Sequence, residues 1–381
     1  MNPPAKGSLH AVTADNDGWP ANGLPGDDTL QTLTSRPAPA PAPARPQPAA
    51  TAMQTAVDKS IALRQTMRPV AAYMADDAVR EIAIPRPGDV FLKIRGKWQY
   101  REAPELHFKY LQGLAAALAS YNRMGFSPIM SLKLPDGERG QVVQPPALLD
   151  GSLSINIRKH SATVKTLEDL AAEGAFDSYD ASRQDKRREE DEKLLALLAA
   201  RDLVGFLRYA VQVRRNIAVG GKNGSGKTTF ARSLIELIPT EERLITIEDV
   251  HELYLPNHRN RVHLIFSTQA DAVVTATACV AACMRMSPDR IFLSELRGPE
   301  AWEYLQGLNT GHPGSVTTTH ANSARDVFFR LALLVKQSPA GQQIDITLLE
   351  RYLYSTIDIT LYYSDFKLVD VYFDPERAQL R

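Results

Sequence analysis

GKNGSGKT, residues 221–228, followed by Thr229, decides how the rest of the chain is read. It fits G-x-x-x-x-G-K-[ST], a loop whose backbone N–H groups and following helix N-terminus surround a phosphate chain. Glycine and serine suit that task because the backbone must turn sharply and approach the anion with no side chain in the way. Gly221, Asn223, Gly224, Ser225, Gly226, Lys227, Thr228 and Thr229 are therefore candidate phosphate contacts. Lys227 would reach the β and γ phosphates, and the Thr228 hydroxyl would hold Mg²⁺. The context agrees: NIAVG, 216–220, can end a buried strand, and 228–238 carries Phe230, Leu234, Ile235 and Ile238 at helical spacing until Pro239.

Downstream, three further strands are expected, each ending in polar residues. Residues 244–247 lead into Glu248-Asp249, 290–293 into Ser294-Glu295, and 315–319 into His320. Helical patterns fill the gaps at 270–284, 300–308, 324–336 and 346–354, and 194–212 reads as one amphipathic helix before the loop strand. Strands alternating with helices predict an α/β fold with a mainly parallel sheet covered on both faces, with ligands at the strands' carboxyl ends. A hairpin is expected over 358–363 and 366–373. Glu295 is placed either to orient and deprotonate a water or to hold a magnesium-bound water. Glu248 and Asp249 are candidates for the metal's water shell, Asp249 equally for a cap. His320 either donates to the γ phosphate or is structural, and turn chemistry accounts for His312.

Upstream, residues 1–55 end in PAPAPAPARPQPAA and cannot bury a core, which predicts a disordered tail. Residues 58–176 read as a smaller α+β domain, with helices at 58–76, 104–121 and 166–175. Its strands are expected at 79–84, 89–95, 97–100, 129–134, 140–143 and 153–157. The charge-mixed run 177–193 reads as a linker, and 194–381 as the phosphate-loop domain. Arg139 follows a turn and Arg158 ends a strand; as residue types alone, both are surface charges.

Lys plus Arg and Asp plus Glu balance at 44 each among 381 residues, so charge gives direct nucleic-acid binding no support. Two cysteines, Cys279 and Cys283, lie in an apolar helical run and read as core residues of a reducing compartment. No run approaches the ~18 apolar residues of a spanning helix, and no export signal is evident. The expectation is a cytoplasmic protein that reaches a membrane through a partner.

ITIEDVHEL (245–253), SPDRIFLSELRG (287–298) and NTGHPGSVTTTHANSA (309–324), in that order after GKNGSGKTT, resemble the secretion ATPase superfamily. ELRG, PNHRNRVHL (256–264) and GERGQVVQPP (137–146) are most similar to the traffic ATPases of type IV secretion systems. The resemblance covers about 75–375. It implies a RecA-like P-loop ATPase domain joined to an N-terminal domain, with ATP/ADP and Mg²⁺ held between them. It further implies a homo-hexamer peripheral to the bacterial inner membrane, working with inner-membrane and ATPase components of the secretion machine. The implied activity is ATP hydrolysis that powers substrate translocation or pilus assembly. A nucleotide-dependent docking switch and a type IV pilus extension or retraction ATPase are the alternatives. By the same resemblance Glu295 is the Walker B glutamate, Glu248 the acidic residue of the Asp box and His320 the His-box histidine. Arg139 and Arg158 become phosphate contacts from the N-terminal domain. Arg285, Arg290 and Arg297 are further candidates for a nucleotide or inter-subunit contact. Ser294 stands where many P-loop ATPases have Asp, which puts direct metal ligation there in doubt.

Overall fold

Val79–Arg86 (β1), with Val79, Ile82, Ala83 and Ile84 buried, is an inner strand of a six-stranded antiparallel sheet. The computed structural model describes residues 59–160, 165–177, 179, 189–269 and 271–378, so the expected tail and most of the expected linker lie outside the described residues. Lys59–Thr66 (α1), a 3₁₀ turn at Arg68–Val70 and Ala71–Ala75 (α2) precede β1. Gly88–Ile94 (β2), Lys97–Ala103 (β3), Phe108–Tyr121 (α3), Ile129–Lys133 (β4), Arg139–Val143 (β5) and Ser154–Arg158 (β6) follow. The sheet order is β3-β2-β1-β6-β5-β4. Leu111, Leu114 and Leu118 of α3 cover one face together with Ile82, Ile84, Val142 and Ile155. The expected helix at 104–121 starts later, where His107 accepts from the Tyr110 N–H.

Leu167–Ala172 (α4) is closed by a capping box between Thr166 and Asp169. The single helix expected over 194–212 is two helices, Glu189–Ala199 (α5) and Leu203–Gln212 (α6). Arg201 takes a left-handed φ of 58° and Asp202 then caps α6 by accepting from the Gly205 N–H, so the chain turns where an unbroken amphipathic pattern suggested none.

The second half holds Ile217–Gly220 (β7), Lys227–Ile235 (α7), Leu244–Glu248 (β8), Arg261–Ile265 (β9), Ala276–Cys283 (α8) and Arg290–Leu293 (β10). It continues with Glu300–Asn309 (α9), Val316–Thr319 (β11), Asp326–Val335 (α10), Pro339–Gln342 (α11) and Ile346–Thr356 (α12). Ile359–Ser364 (β12), Lys367–Phe373 (β13) and Pro375–Ala378 (α13) close the chain. Two ladders form, β10-β8-β9 and β11-β7-β12-β13, parallel throughout except for the β12–β13 hairpin. β9 was not foreseen as a strand. Successive residues feed opposite faces: Ile245 and Ile247 join a core with α8, α9, α10 and α12, whereas Leu244 and Phe292 join one with α6 and α7. This is the two-faced burial that a parallel sheet requires.

The six-stranded sheet lies along β9. The Ile265 N–H donates to Ala147 O at 2.9 Å near one end of β9, and Arg86 Nη2 donates to Arg259 O at 2.8 Å just before the other. Val143, Ala147 and Leu148 enter the same core as Val262, Leu264 and Cys279. Among the described residues no helix is long and apolar enough to cross a membrane.

Candidate functional site

The phosphate loop runs from the carboxyl end of β7 to the first turn of α7. Gly224 (φ 70°) and Gly226 (φ 91°) take left-handed conformations that let the chain close the loop, and Gly226 is the N-cap of α7. A Cβ on Gly221 would sit 2.2 Å from the carbonyl oxygen of Tyr363, which explains that glycine as a packing requirement. Lys227 is nearly buried, and its Nζ donates to Lys222 O at 2.8 Å. Burial pulls the lysine below its ordinary pKa, while the charge of Glu295 opposes that shift and the charge of Arg297 adds to it.

Glu295 and His320 leave the carboxyl ends of β10 and β11. Nε2 of His320 lies 2.7 Å from Glu295 Oε1, a charge-range contact off the line of a hydrogen bond, and its Nδ1 lies 3.3 Å from Gly221 O. Burial would raise the Glu295 carboxyl, but Arg297, His320 and Lys227 together outweigh it and hold the group below the usual carboxylate range. Arg297 donates to Glu295 Oε2 at 2.6 Å and to Asp249 Oδ2 at 2.7 Å. These three residues line a pocket of about 330 Å³ with Ser267, Thr277 and Glu300.

β10 and β11 are joined mainly through side chains. Ser315 Oγ donates to Ile291 O, Thr317 Oγ1 to Leu293 O at 2.7 Å, Thr318 Oγ1 to Ser294 O at 2.8 Å and Thr319 Oγ1 to Leu296 O at 3.0 Å. The carbonyls on either side of Glu295 are thus held by two adjacent threonine hydroxyls. Motif reading singled out His320 and passed over this run of hydroxyls, although SVTTT, 315–319, was itself the available signal.

The structure places Glu248 away from the role expected of it. It is 0 % exposed, and its carboxylate accepts from Thr246 Oγ1, from the Glu252 N–H and from the Leu253 N–H, both at 2.8 Å. His251 and His263 approach Oε1 at 3.3 Å each. Burial raises this carboxyl, yet the hydrogen bonds from His263, Thr246 and the backbone bring it down to about 2. With its oxygens committed to protein donors, Glu248 secures the 249–253 turn. The neighbouring Asp249 is the carboxylate that accepts from Arg297 and shares a pocket with Glu295, because successive residues at a strand end face opposite sides.

Arg139 and Arg158 do not join the loop within the chain. They are opposite one another in the β5–β6 pairing and line a pocket of about 330 Å³ with Lys133, Arg285 and Ser287. Ser287 and Arg285 lead into the amino end of β10, whereas the loop leaves the carboxyl end of β7, so the two basic side chains stand at the opposite edge of the parallel sheet. Of the remaining candidates, Arg290 is buried and bonded to Glu242, Val211 O and Gly314 O, a structural tie. Only Arg297 meets the site. His312 Nδ1 contacts Pro288 O at 3.0 Å, consistent with a turn role. Cys279 and Cys283 are buried in the α8 core, as their spacing suggested.

Residues 193–352 match the family model described as type II/IV secretion system protein. The chain is 40% identical over 316 residues to the type IV secretion system protein VirB11 of Brucella suis, covering 81% of this chain and 87% of that protein. It is 38% identical over 343 residues to VirB11 of Bartonella henselae, covering 85% and 96%. The crystal structure of the VirB11 ATPase from the Brucella suis type IV secretion system, in complex with sulphate, superposes with a TM-score of 0.80 at 38% identity over 85% of this chain and 97% of that one.

Proposed function

The chain belongs to the VirB11 family of type IV secretion ATPases, and from that membership we propose how its site works. It is an ATPase motor of a type IV secretion system, with a P-loop ATPase domain preceded by a smaller α+β domain. The observation that carries the proposal is the Glu295–His320 pair, 2.7 Å apart beside the lysine of the phosphate loop.

In the proposed cycle the loop N–H groups and Lys227 hold the phosphate chain of ATP. Glu295, kept ionised by Arg297 and His320, orients a water toward the γ phosphorus and takes its proton as the P–O bond to ADP breaks. His320 keeps the carboxylate aimed, bridging it to the loop through Gly221 O. Magnesium fits the donors, which are hard oxygens, and Ser225 Oγ is buried in the loop with no hydrogen-bond partner among the described residues. Thr228 and Asp249 are the residues that would hold Mg²⁺ and its waters. When bound, the ion neutralises charge on the β and γ oxygens.

The proposal extends to a homo-hexamer at the inner membrane, working with the other components of the secretion machine. The pocket of Arg139, Arg158, Lys133 and Arg285 has no carboxylate in its lining and suits a polyphosphate. Standing across the sheet from its own loop, it would serve the nucleotide of an adjacent subunit. Steady-state hydrolysis tests the core of this reading: Lys227→Ala abolishes turnover, and turnover near that of the wild type would contradict it.

A further inference from the structure

Strand order fixes which way a nucleotide lies in the loop. β7 carries the loop, and the groups that meet the terminal phosphate, Glu295 and His320, come from β10 and β11 on one side of it. On the other side of β7 lie β12 and β13. A polyphosphate with its γ end toward Glu295 therefore presents its sugar and base toward that second side. There β12 runs level with the loop strand, Tyr362 pairing with Gly220, and the hairpin continues past it alongside the loop.

The tip of that hairpin touches the loop directly. The Phe366 N–H donates to Ser225 O at 3.2 Å. A Cβ on Gly226 would lie 2.7 Å from the Phe366 ring and 3.3 Å from the Tyr363 ring, so both aromatics are pressed against the N-cap of α7. Tyr363 is already committed, stacked on Phe230 with centroids 4.5 Å apart and planes 10° from parallel. Phe366 is 70 % exposed and makes no ring contact of that kind among the described residues.

Its backbone is the second anomaly. Asp365 (φ 50°) and Phe366 (φ 59°) form a two-residue turn in which both positions are left-handed. Glycine or asparagine enters that region easily, and a bulky aromatic does so only under strain. The ring neither enters a core nor relieves the turn, and strain of this kind gathers at ligand clamps.

We propose that Phe366 is the wall on which the purine base of the bound nucleotide stacks. The aromatic face is apolar, open and adjacent to the first turn of α7, where the phosphate chain ends and the base begins. Stacking on one aromatic ring holds a purine by its π-face, without reading its hydrogen-bonding edge. The Tyr363–Phe230 stack behind it fixes the position of the turn, and the Phe366–Ser225 backbone bond ties the wall to the loop. This inference rests on the assignment of 221–228 as the phosphate site, so its test separates the base from the phosphates.

The full chain is titrated by calorimetry with ATP and with inorganic tripolyphosphate, each with magnesium. For Phe366→Ala and Phe366→Gly, affinity for ATP falls about tenfold, the order expected for loss of one base–aromatic stack, and affinity for tripolyphosphate is unchanged. Phe366→Trp restores ATP binding. The glycine variant relaxes the turn, so it stays folded and separates loss of the ring from loss of strain. Equal weakening of both ligands, or no weakening of ATP, would overturn the proposal. Wild-type protein that binds neither ligand would instead overturn the phosphate-site assignment.

Discussion

His320 and Glu295 meet at 2.7 Å from two strands that share no regular backbone ladder. Their meeting depends on four hydroxyl donors of β11 and the residue before it, and on the carbonyls those donors hold. The pair and its supports can be tested separately.

Glu295→Gln removes the proposed acceptor of the water's proton while keeping size and shape. Turnover at saturating ATP should fall by roughly 10²–10⁴-fold, with ATP affinity retained. His320→Gln should cost less, since the carboxylate keeps Arg297. Steady-state rates beside equilibrium ATP binding provide the check, and an unimpaired Glu295→Gln enzyme would remove the residue from the chemistry.

Thr318→Val and Thr319→Val free the carbonyls of Ser294 and Leu296 on either side of Glu295. Each buried bond lost should cost about 1 kcal/mol or somewhat more. The double variant should lower kcat beyond what its lower melting temperature explains, because Glu295 is no longer held in register. Thr317→Val, one carbonyl further away, should lose stability with a smaller change in kcat. A kcat that tracks melting temperature equally in all three would show the hydroxyls to be merely structural.

Glu248 titrates near 2 in the folded chain, well below the usual value of about 4.3 for an unfolded glutamate. A depressed folded pKa contributes stability that is fully present above the unfolded pKa and lost as pH falls through the folded one. Unfolding free energy should therefore drop between about pH 4 and pH 2, and Glu248→Gln should flatten that part of the profile. Glu248→Ala leaves the N–H groups of Glu252 and Leu253 without their acceptor, at about 1–3 kcal/mol each. Denaturant melts across that pH range would reveal either effect.

Arg139 and Arg158 lie toward the amino ends of the parallel strands, and their own loop lies at the carboxyl ends. In the proposed homo-hexamer, a chain with Arg139→Ala and Arg158→Ala, and a second chain with Lys227→Ala, should each be inactive as uniform rings. Mixed rings should regain part of the wild-type rate, because some sites then combine an intact loop with intact arginines from a neighbour. Absence of any recovery on mixing, with subunit exchange verified, would argue against the arrangement across subunits.

Much of this site was legible because strand-end motifs are local: a glycine loop before a helix and polar residues after apolar runs need no knowledge of distant packing. The divide between Glu248 and Asp249 was not legible, since adjacent residues at a strand end face opposite ways and the local pattern does not say which faces the ligand. β9 did carry a signal that was passed over: RVHLI alternates, with Val262 and Leu264 buried between the less buried Arg261, His263 and Ile265. The place of Arg139 and Arg158 depends on how one sheet docks on another, for which a linear pattern carries no signal. The break at Arg201 did have one: Asp202 three residues before Gly205 is a cap that the amphipathic pattern masked.

The six-stranded sheet laid along β9 has a further consequence. β9 is the terminal strand of its ladder, and a terminal strand offers unpaired N–H and C=O groups that invite another chain to add on. Here Ala147 takes one of those groups and the β5–β6 region shields the apolar residues beneath. The N-terminal half thus guards this edge against strand-to-strand pairing with another chain. Cut away, it would leave the ATPase half with an open template for aggregation.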